Sequence, residues 1–275
     1  MNLRSKSLSA LAFVVSVALT SCGTATAPVS TAGLNGNWNL VGNRALSQYP
    51  LLSTTLTVNG NQITGEGYVD IRCQAGLGLG VGGTMAFSGL IATDGTFHLA
   101  VPSLDSTQVM IDGRVPAKGS AGWTGTYTIT STACSGSQTG SFTATIFQPI
   151  NGIFAGQIGG IALGSGTSMS MQVSEGIPVV FQHANGTTST YYPLSATISI
   201  NGSPCFKHGT TTGNAFPNEV MGDFIILDFT MDDGSQMHMD AWMTDTSETT
   251  LNPVSLIVSG GQCSNKASTA VLTAQ

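Results

Sequence analysis

Thr54-Thr55-Leu56-Thr57-Val58, the turn Asn59-Gly60-Asn61, and then Gln62-Ile63-Thr64 form the stretch whose reading decides the fold. Polar and apolar residues alternate with period two on either side of an Asn-Gly pair. That pair favours the positive φ a tight turn needs, so the stretch predicts a β-hairpin with one wet and one buried face. The same grammar recurs along the chain. Thr84 to Ala92, the Asp94-Gly95 turn and Thr96 to Val101 form a second hairpin, and Trp123 to Thr130 with Ser141 to Phe147 a third, closing around Cys134. In the second half, strands are expected at 153–158, 168–174, 194–200, 223–230, 236–243, 253–258 and 268–274. No segment beyond the N-terminal one has an apolar period of 3.6, so little helix is expected and the fold class is all-β.

The chain also repeats itself. Leu34-Asn35-Gly36-Asn37-Trp38 recurs as Ile150-Asn151-Gly152-Ile153-Phe154, and a strand ending in Cys73 corresponds to one ending in Cys205. The turn Thr93-Asp94-Gly95-Thr96 matches Asp232-Asp233-Gly234-Ser235, and Cys134 matches Cys263. Two copies are too few for a solenoid, so the reading is two related antiparallel β-barrel or β-sandwich domains, at 34–149 and 150–275. Four cysteines allow three pairings. Self-contained repeats select Cys73–Cys134 and Cys205–Cys263 over bridges between the units. Closing a loop of about 60 residues stabilises a domain by roughly 4 kcal/mol in the chain-entropy model.

The first two dozen residues, MNLRSKSLSALAFVVSVALTSCG, run from basic (Arg4, Lys6) through a short apolar stretch (Leu8 to Leu19) to small residues. The order is that of an export signal, and the apolar run is too short for a permanent membrane span. Leu19-Thr20-Ser21-Cys22 resembles the lipobox of bacterial lipoproteins. The resemblance implies removal of residues 1–21 and acylation of Cys22 (palmitate or similar chains) both on its sulfur and on the new N-terminus. Gly23, rather than Asp, after the lipidated cysteine points to the outer membrane in that family. Residues 22–33, rich in small residues, read as a flexible tether with a reach of about 35 Å. Two disulfides suit an exported, oxidising life. The combination of lipobox, tether and Cys-bearing Gly/Thr-rich β repeats resembles uncharacterised bacterial surface lipoproteins, which implies no particular activity.

Gly36-x-Trp38 on the first strand resembles the opening of lipocalin-like and avidin-like (calycin) barrels, in which the Trp plugs one end. If the domains are hollow, Trp38 and Trp242 are the candidate ligand-lining residues for a small apolar molecule. If they are filled, recognition falls to loops and strand edges, and the partner is an envelope protein or a glycan.

Charge narrows the partners further. Lys and Arg number eight against fourteen Asp and Glu, and only 8% of residues are charged, where roughly 25% is usual. From Glu175 onward nine acids face only Lys207 and Lys266. Such a surface repels phosphate backbones, so no nucleic-acid partner is expected, and membrane contact comes from the acyl anchor.

Motifs for chemistry are sparse. Gly78-Leu79-Gly80-Val81-Gly82-Gly83 matches G-x-G-x-x-G formally, but lies between hairpins with no helix to meet a pyrophosphate, and reads as a flexible apolar loop. In Gln236-Met237-His238-Met239-Asp240-Ala241-Trp242-Met243 the methionines share one strand face and His238, Asp240 and Trp242 the other. This favours a Met-filled core over a copper site. Asp228, Asp232 and Asp233 lack calcium-loop spacing and read as turn residues. His98, His183, His208 and His238 fall in four separate segments, with no G-x-S-x-G elbow. The expectation is a non-enzymatic binding module with no metal and no cofactor beyond the lipid on Cys22. The alternative is an exported hydrolase whose triad is assembled only by folding.

Overall fold

The computed structural model describes residues 31–73, 81–104, 107–132, 136–159, 163–164, 166–182, 188–212 and 218–275. The opening hairpin is realised without a break. Strands β2 (Gln48–Asn59) and β3 (Gln62–Cys73) pair antiparallel from Asn59↔Gln62 at the turn to Gln48↔Cys73. β1 (Gly36–Gly42) precedes them. β4 (Val81–Ile91), β5 (Thr96–Leu104), β6 (Thr107–Arg114), β7 (Gly122–Ser131) and β8 (Gly136–Phe147) follow, each pairing with the next. β8 then returns to β1, from Asn37↔Phe147 to Gly42↔Phe142, and closes an eight-stranded barrel.

The interior of this barrel is packed with aromatic side chains. The Trp123 ring meets Trp38, Phe97 and Phe142 edge-on, at centroid distances of 5.9, 5.3 and 5.0 Å. Such contacts add to the burial energy of the rings, at about 0.5–1.5 kcal/mol per pair. Trp38 is fully buried and donates its indole N–H to the Leu34 carbonyl at 2.8 Å. Outside, β7 presents Thr124, Thr126, Thr128 and Thr130 while Trp123, Tyr127 and Ile129 point inward. This apolar-in, hydroxyl-out arrangement is the inverse of a membrane-spanning barrel with its apolar outer band.

The second barrel repeats the meander. β9 (Asn151–Gly159), β10 (Ser168–Glu175) and β12 (Thr188–Asn201) take its first three positions. Two short strands, β13 (His208–Thr211) and β14 (Glu219–Met221), share the fourth between β12 and β15 (Phe224–Met231). β16 (Gln236–Met243), β17 (Thr250–Ser259) and β18 (Lys266–Ala274) complete the circuit back to β9. β11 (Val179–Gln182) is an addition, paired with the start of β12. Met237, Met239, Ala241 and Met243 all point into the core, as their alternation predicts.

The two-domain, all-β reading therefore resolves into two closed barrels of matching topology. Gly36 and Gly152 open the first strand of each with φ of 142° and 130°, and Trp38 and Phe154 follow at equivalent buried positions. One correspondence is corrected. The Asp94-Gly95 turn joins the fourth and fifth strands of its barrel, whereas Asp233-Gly234 joins the fifth and sixth of the other. The reading missed a strand in each unit: β6, whose Val109-Met110-Ile111 run hides its alternation, and the fourth position, split into pieces of four and three residues. The two omissions offset the count and aligned turns that are not equivalent.

Two smaller expectations also change. Thr31–Leu34, the end of the expected tether, forms a 3-10 turn with Gly33 and Leu34 buried. Val81–Gly83, read as loop, open strand β4, while Gly78 to Gly80 lie outside the described residues. Cys205 and Cys263 form a disulfide, with Cα atoms 6.0 Å apart. Cys73 is also disulfide-bonded; Cys134, its expected partner, lies outside the described residues.

Candidate functional site

Strand β2 carries the first sign of a second interface. Leu52, Thr54 and Leu56 face its own barrel, so Ser53 and Thr55 point outward and alternation predicts them wet. Both are buried, Thr55 completely, because the second barrel covers that face. The covering element is the β14–β15 turn. Gly222 sits there at φ 60°, and a Cβ on it would lie 2.3 Å from the Trp38 carbonyl oxygen and 2.7 Å from Thr54 N. Only glycine lets the turn approach so closely.

Polar groups hold this wedge. Asn39 donates to Asp223 Oδ1 at 2.7 Å, and the Ser53 hydroxyl donates to the same oxygen. Thr55 Oγ1 bonds Asn37 Oδ1 at 2.9 Å and the Val220 carbonyl at 3.3 Å, and Thr57 Oγ1 meets Thr190 Oγ1 at 3.0 Å. Burial raises the Asp223 pKa, while the bonds from Ser53 and Asn39 oppose that rise.

Along β3 the outward residues Glu66, Tyr68 and Asp70 run past the second barrel. Glu66 accepts from the Ser189 hydroxyl. Glu219, only 3% exposed, faces this region with its Oε2 buried and without a hydrogen-bond partner. Burial, with the Glu66 charge adding to it, pushes the Glu219 carboxyl up to about 8. It is therefore neutral at pH 7, which removes most of the penalty for burying it.

Beyond Glu219 the seam carries an aromatic strip in which Tyr68 and Trp242 are half-buried and Phe224 is buried between the barrels. Tyr68 of the first barrel meets Phe224 of the second at 4.8 Å between ring centroids. Phe224 meets Trp242 at 4.5 Å, and Tyr68 meets Trp242 edge-on at 6.3 Å. A bulge on β17 between Leu251 and Val254 lies opposite Trp242. Charged groups border the rings. Asp70 pairs with Arg72 at 2.6 Å on one side. On the other, His238 Nδ1 bonds Asp228 at 2.8 Å and Nε2 bonds Asp240 at 3.2 Å. The bond to Asp240, with that to Asp228, raises His238 to about 9 against the opposing effect of burial, so the imidazole is a cation at neutral pH. Burial and the charges of Asp70 and Asp240 keep the Tyr68 phenol protonated. The strip thus offers the half-buried rings of Tyr68 and Trp242, backed by the buried Phe224, with carboxylate acceptors and fixed donors beside them.

The residues read from sequence divide accordingly. Trp242 lies in this strip, on the outside of its barrel, whereas Trp38 lies in the packed interior of the other. Asp233 caps its turn by accepting from Ser235, and Asp232 accepts from the Lys207 and His208 amides. His98 pairs with Asp112 on an exposed face, and His208 Nδ1 lies 3.3 Å from Ser199 Oγ, also exposed. Cys22 and His183 lie outside the described residues. Among the described residues no cluster of three His, Cys, Asp or Glu side chains is arranged to hold a metal ion. Asn39, Glu66, Tyr68, Glu219, Asp223 and Phe224 were missed as site residues. The available signal was the polar outward face of β2 and β3, but nothing in it says what covers that face. No protein-family model matches the chain, and no curated protein sequence matches it.

Proposed function

We propose that the protein is a lipid-anchored, non-enzymatic binding module of the bacterial envelope that recognises a glycan through the aromatic strip at its seam. The observation that carries this reading is the grouping of Tyr68, Phe224 and Trp242, from two barrels, between Asp70–Arg72 and Asp240–His238. Sugar rings present apolar C–H faces and a rim of hydroxyls. Aromatic surfaces take the first, and mixed carboxylate, guanidinium and imidazolium groups take the second. Recognition outside the barrels also agrees with the aromatic packing inside the first. The anchor is acylated Cys22, and residues 22–30 place the barrels beside the outer membrane.

Fluorescence tests the binding reading directly. Of the three tryptophans, Trp38 and Trp123 are buried in the first barrel and Trp242 is partly exposed. Soluble peptidoglycan fragments and lipopolysaccharide-derived oligosaccharides should shift the emission of Trp242. Trp242→Ala should abolish the shift and Tyr68→Ala should weaken binding at least tenfold. Unchanged emission across both sets, or wild-type affinity in Trp242→Ala, rejects the glycan reading. A Trp242-dependent response to an envelope protein instead would keep the site and replace the ligand.

A further inference from the structure

The rings that span the seam sit in an excess of negative charge. Tyr68, Asp70 and Arg72 occupy alternate positions of β3 and share its outward face, and Trp242, Asp240 and His238 do the same on β16. Tyr68 and Trp242 meet edge-on at 6.3 Å, so a carboxylate stands two residues along the strand from each ring. After burial itself, the charges of Asp70 and Asp240 raise the Tyr68 phenol, and Arg72 opposes them with the smallest effect. The Asp70 and Asp240 side chains keep 15% and 31% exposure, so a ligand on the rings reaches both.

The cations beside the rings are already engaged. Arg72 pairs with Asp70 at 2.6 Å, and the two ring nitrogens of His238 bond Asp228 at 2.8 Å and Asp240 at 3.2 Å. Asp70, Asp228 and Asp240 outnumber Arg72 and His238. The nine acids from Glu175 onward, against Lys207 and Lys266, give the second barrel the same sign. Such a field draws cations toward the strip and turns away carboxylated or phosphorylated sugars. An aromatic face beside a carboxylate also suits an ammonium group, through the ring quadrupole and through charge-assisted hydrogen bonds.

We infer that the strip selects a glycan bearing free ammonium groups, as in hexosamine residues whose nitrogen carries no acyl group. The inference deepens the glycan reading and rests on it. A sugar ring lies against Trp242 and Tyr68, and its ammonium points at Asp70 and Asp240. Arg72 meets Asp70 through Oδ2 and His238 meets Asp240 through Oδ1, so each carboxylate has a second oxygen for the ligand. An ammonium brings three donors and a full charge to these acceptor-only groups. An acetamido group brings one N–H, no charge and a carbonyl oxygen that the carboxylates repel.

The test is titration calorimetry on the full-length protein in uncharged detergent at pH 6, where sugar amines carry their protons. The β-1,4-linked glucosamine tetramer should bind at least tenfold tighter than the N-acetylglucosamine tetramer, and the gap should narrow in 0.5 M salt. Asp70→Asn and Asp240→Asn should each cut the preference at least threefold, with near-ultraviolet circular dichroism as the folding control. Asp94→Asn, on the exposed β4–β5 turn, should leave it unchanged. Equal affinities that both depend on Trp242 overturn the ammonium preference and leave the glycan reading standing. Binding of neither tetramer also overturns the preference, and the fluorescence panel then decides the glycan reading alone. A preference that survives both Asn substitutions is an effect of net charge and overturns the inference. So does tight binding of tetralysine without the glucosamine tetramer, since the ligand would then be a basic peptide.

Discussion

The Asn39 side chain donates to Asp223 at 2.7 Å across 184 residues of sequence, joining the first strand of one barrel to a turn of the other. The bond makes the seam an ordered interface rather than a chance contact of two beads on a string. Asp223→Ala leaves Asn39 and Ser53 without their shared acceptor in a partly buried site. Unpaired buried polar groups cost about 1–3 kcal/mol each, so urea unfolding should show a loss of about 2–4 kcal/mol. A midpoint unchanged from wild type would mean that water replaces the carboxylate freely.

Gly222→Ala tests the wedge itself. The methyl group meets the Trp38 carbonyl and the Thr54 amide, and the residue must hold φ at 60°. The seam should loosen by about 2 kcal/mol or more, and small-angle scattering should show a larger radius of gyration with both barrels intact. An unchanged radius and stability would show that the turn does not seat against β1 and β2.

The seam should also respond to pH. Glu219 is raised to about 8, and Glu175 to about 7 by burial, with its Oε2 accepting from the Ile150 amide that links the barrels. His238 is raised to about 9 by its two aspartates. Each of these groups holds its proton more tightly folded than unfolded, so stability falls as pH rises. The carboxyl contributions decline from about pH 4.5 up to about 8, and the imidazole contribution from about 6.5 up to about 9. Thermal midpoints should therefore drop steadily between pH 5 and 9. Glu219→Gln, which keeps the shape and removes the charge, should flatten the slope and raise the midpoint at pH 9 by about 3–6 °C. A slope identical to wild type would mean that Glu219 is already solvated.

Reduction of Cys205–Cys263, which closes 58 residues, should cost the second barrel roughly 4 kcal/mol. Non-reducing peptide mapping should recover that cross-link and, for the first unit, Cys73–Cys134. A peptide joining Cys73 to Cys205 would overturn the pairing within units. For the anchor, palmitate should label the wild type and not Cys22→Ala.

Much of the fold was legible because a barrel strand writes its burial into the chain with period two. The hairpin at Asn59-Gly60, the Met237–Met243 face and the matching Gly36 and Gly152 openings are local facts, set by side-chain alternation and backbone freedom. The strands that escaped, β6, β11, β13 and β14, are those whose alternation is blurred or whose length is too short to show it. The all-β class and the Met-lined core face follow from the chain alone, because each depends on neighbours two or four residues away, and the repeat shows as matching strings such as Leu34–Trp38 and Ile150–Phe154. The tertiary structure alone decided barrel over sandwich, the burial of Ser53, Thr55 and Glu219, and the meeting of Tyr68 with Phe224 and Trp242. Those facts depend on which outer face of one barrel covers which of the other. Period two records only that a residue points outward, and it carries no record of what waits there.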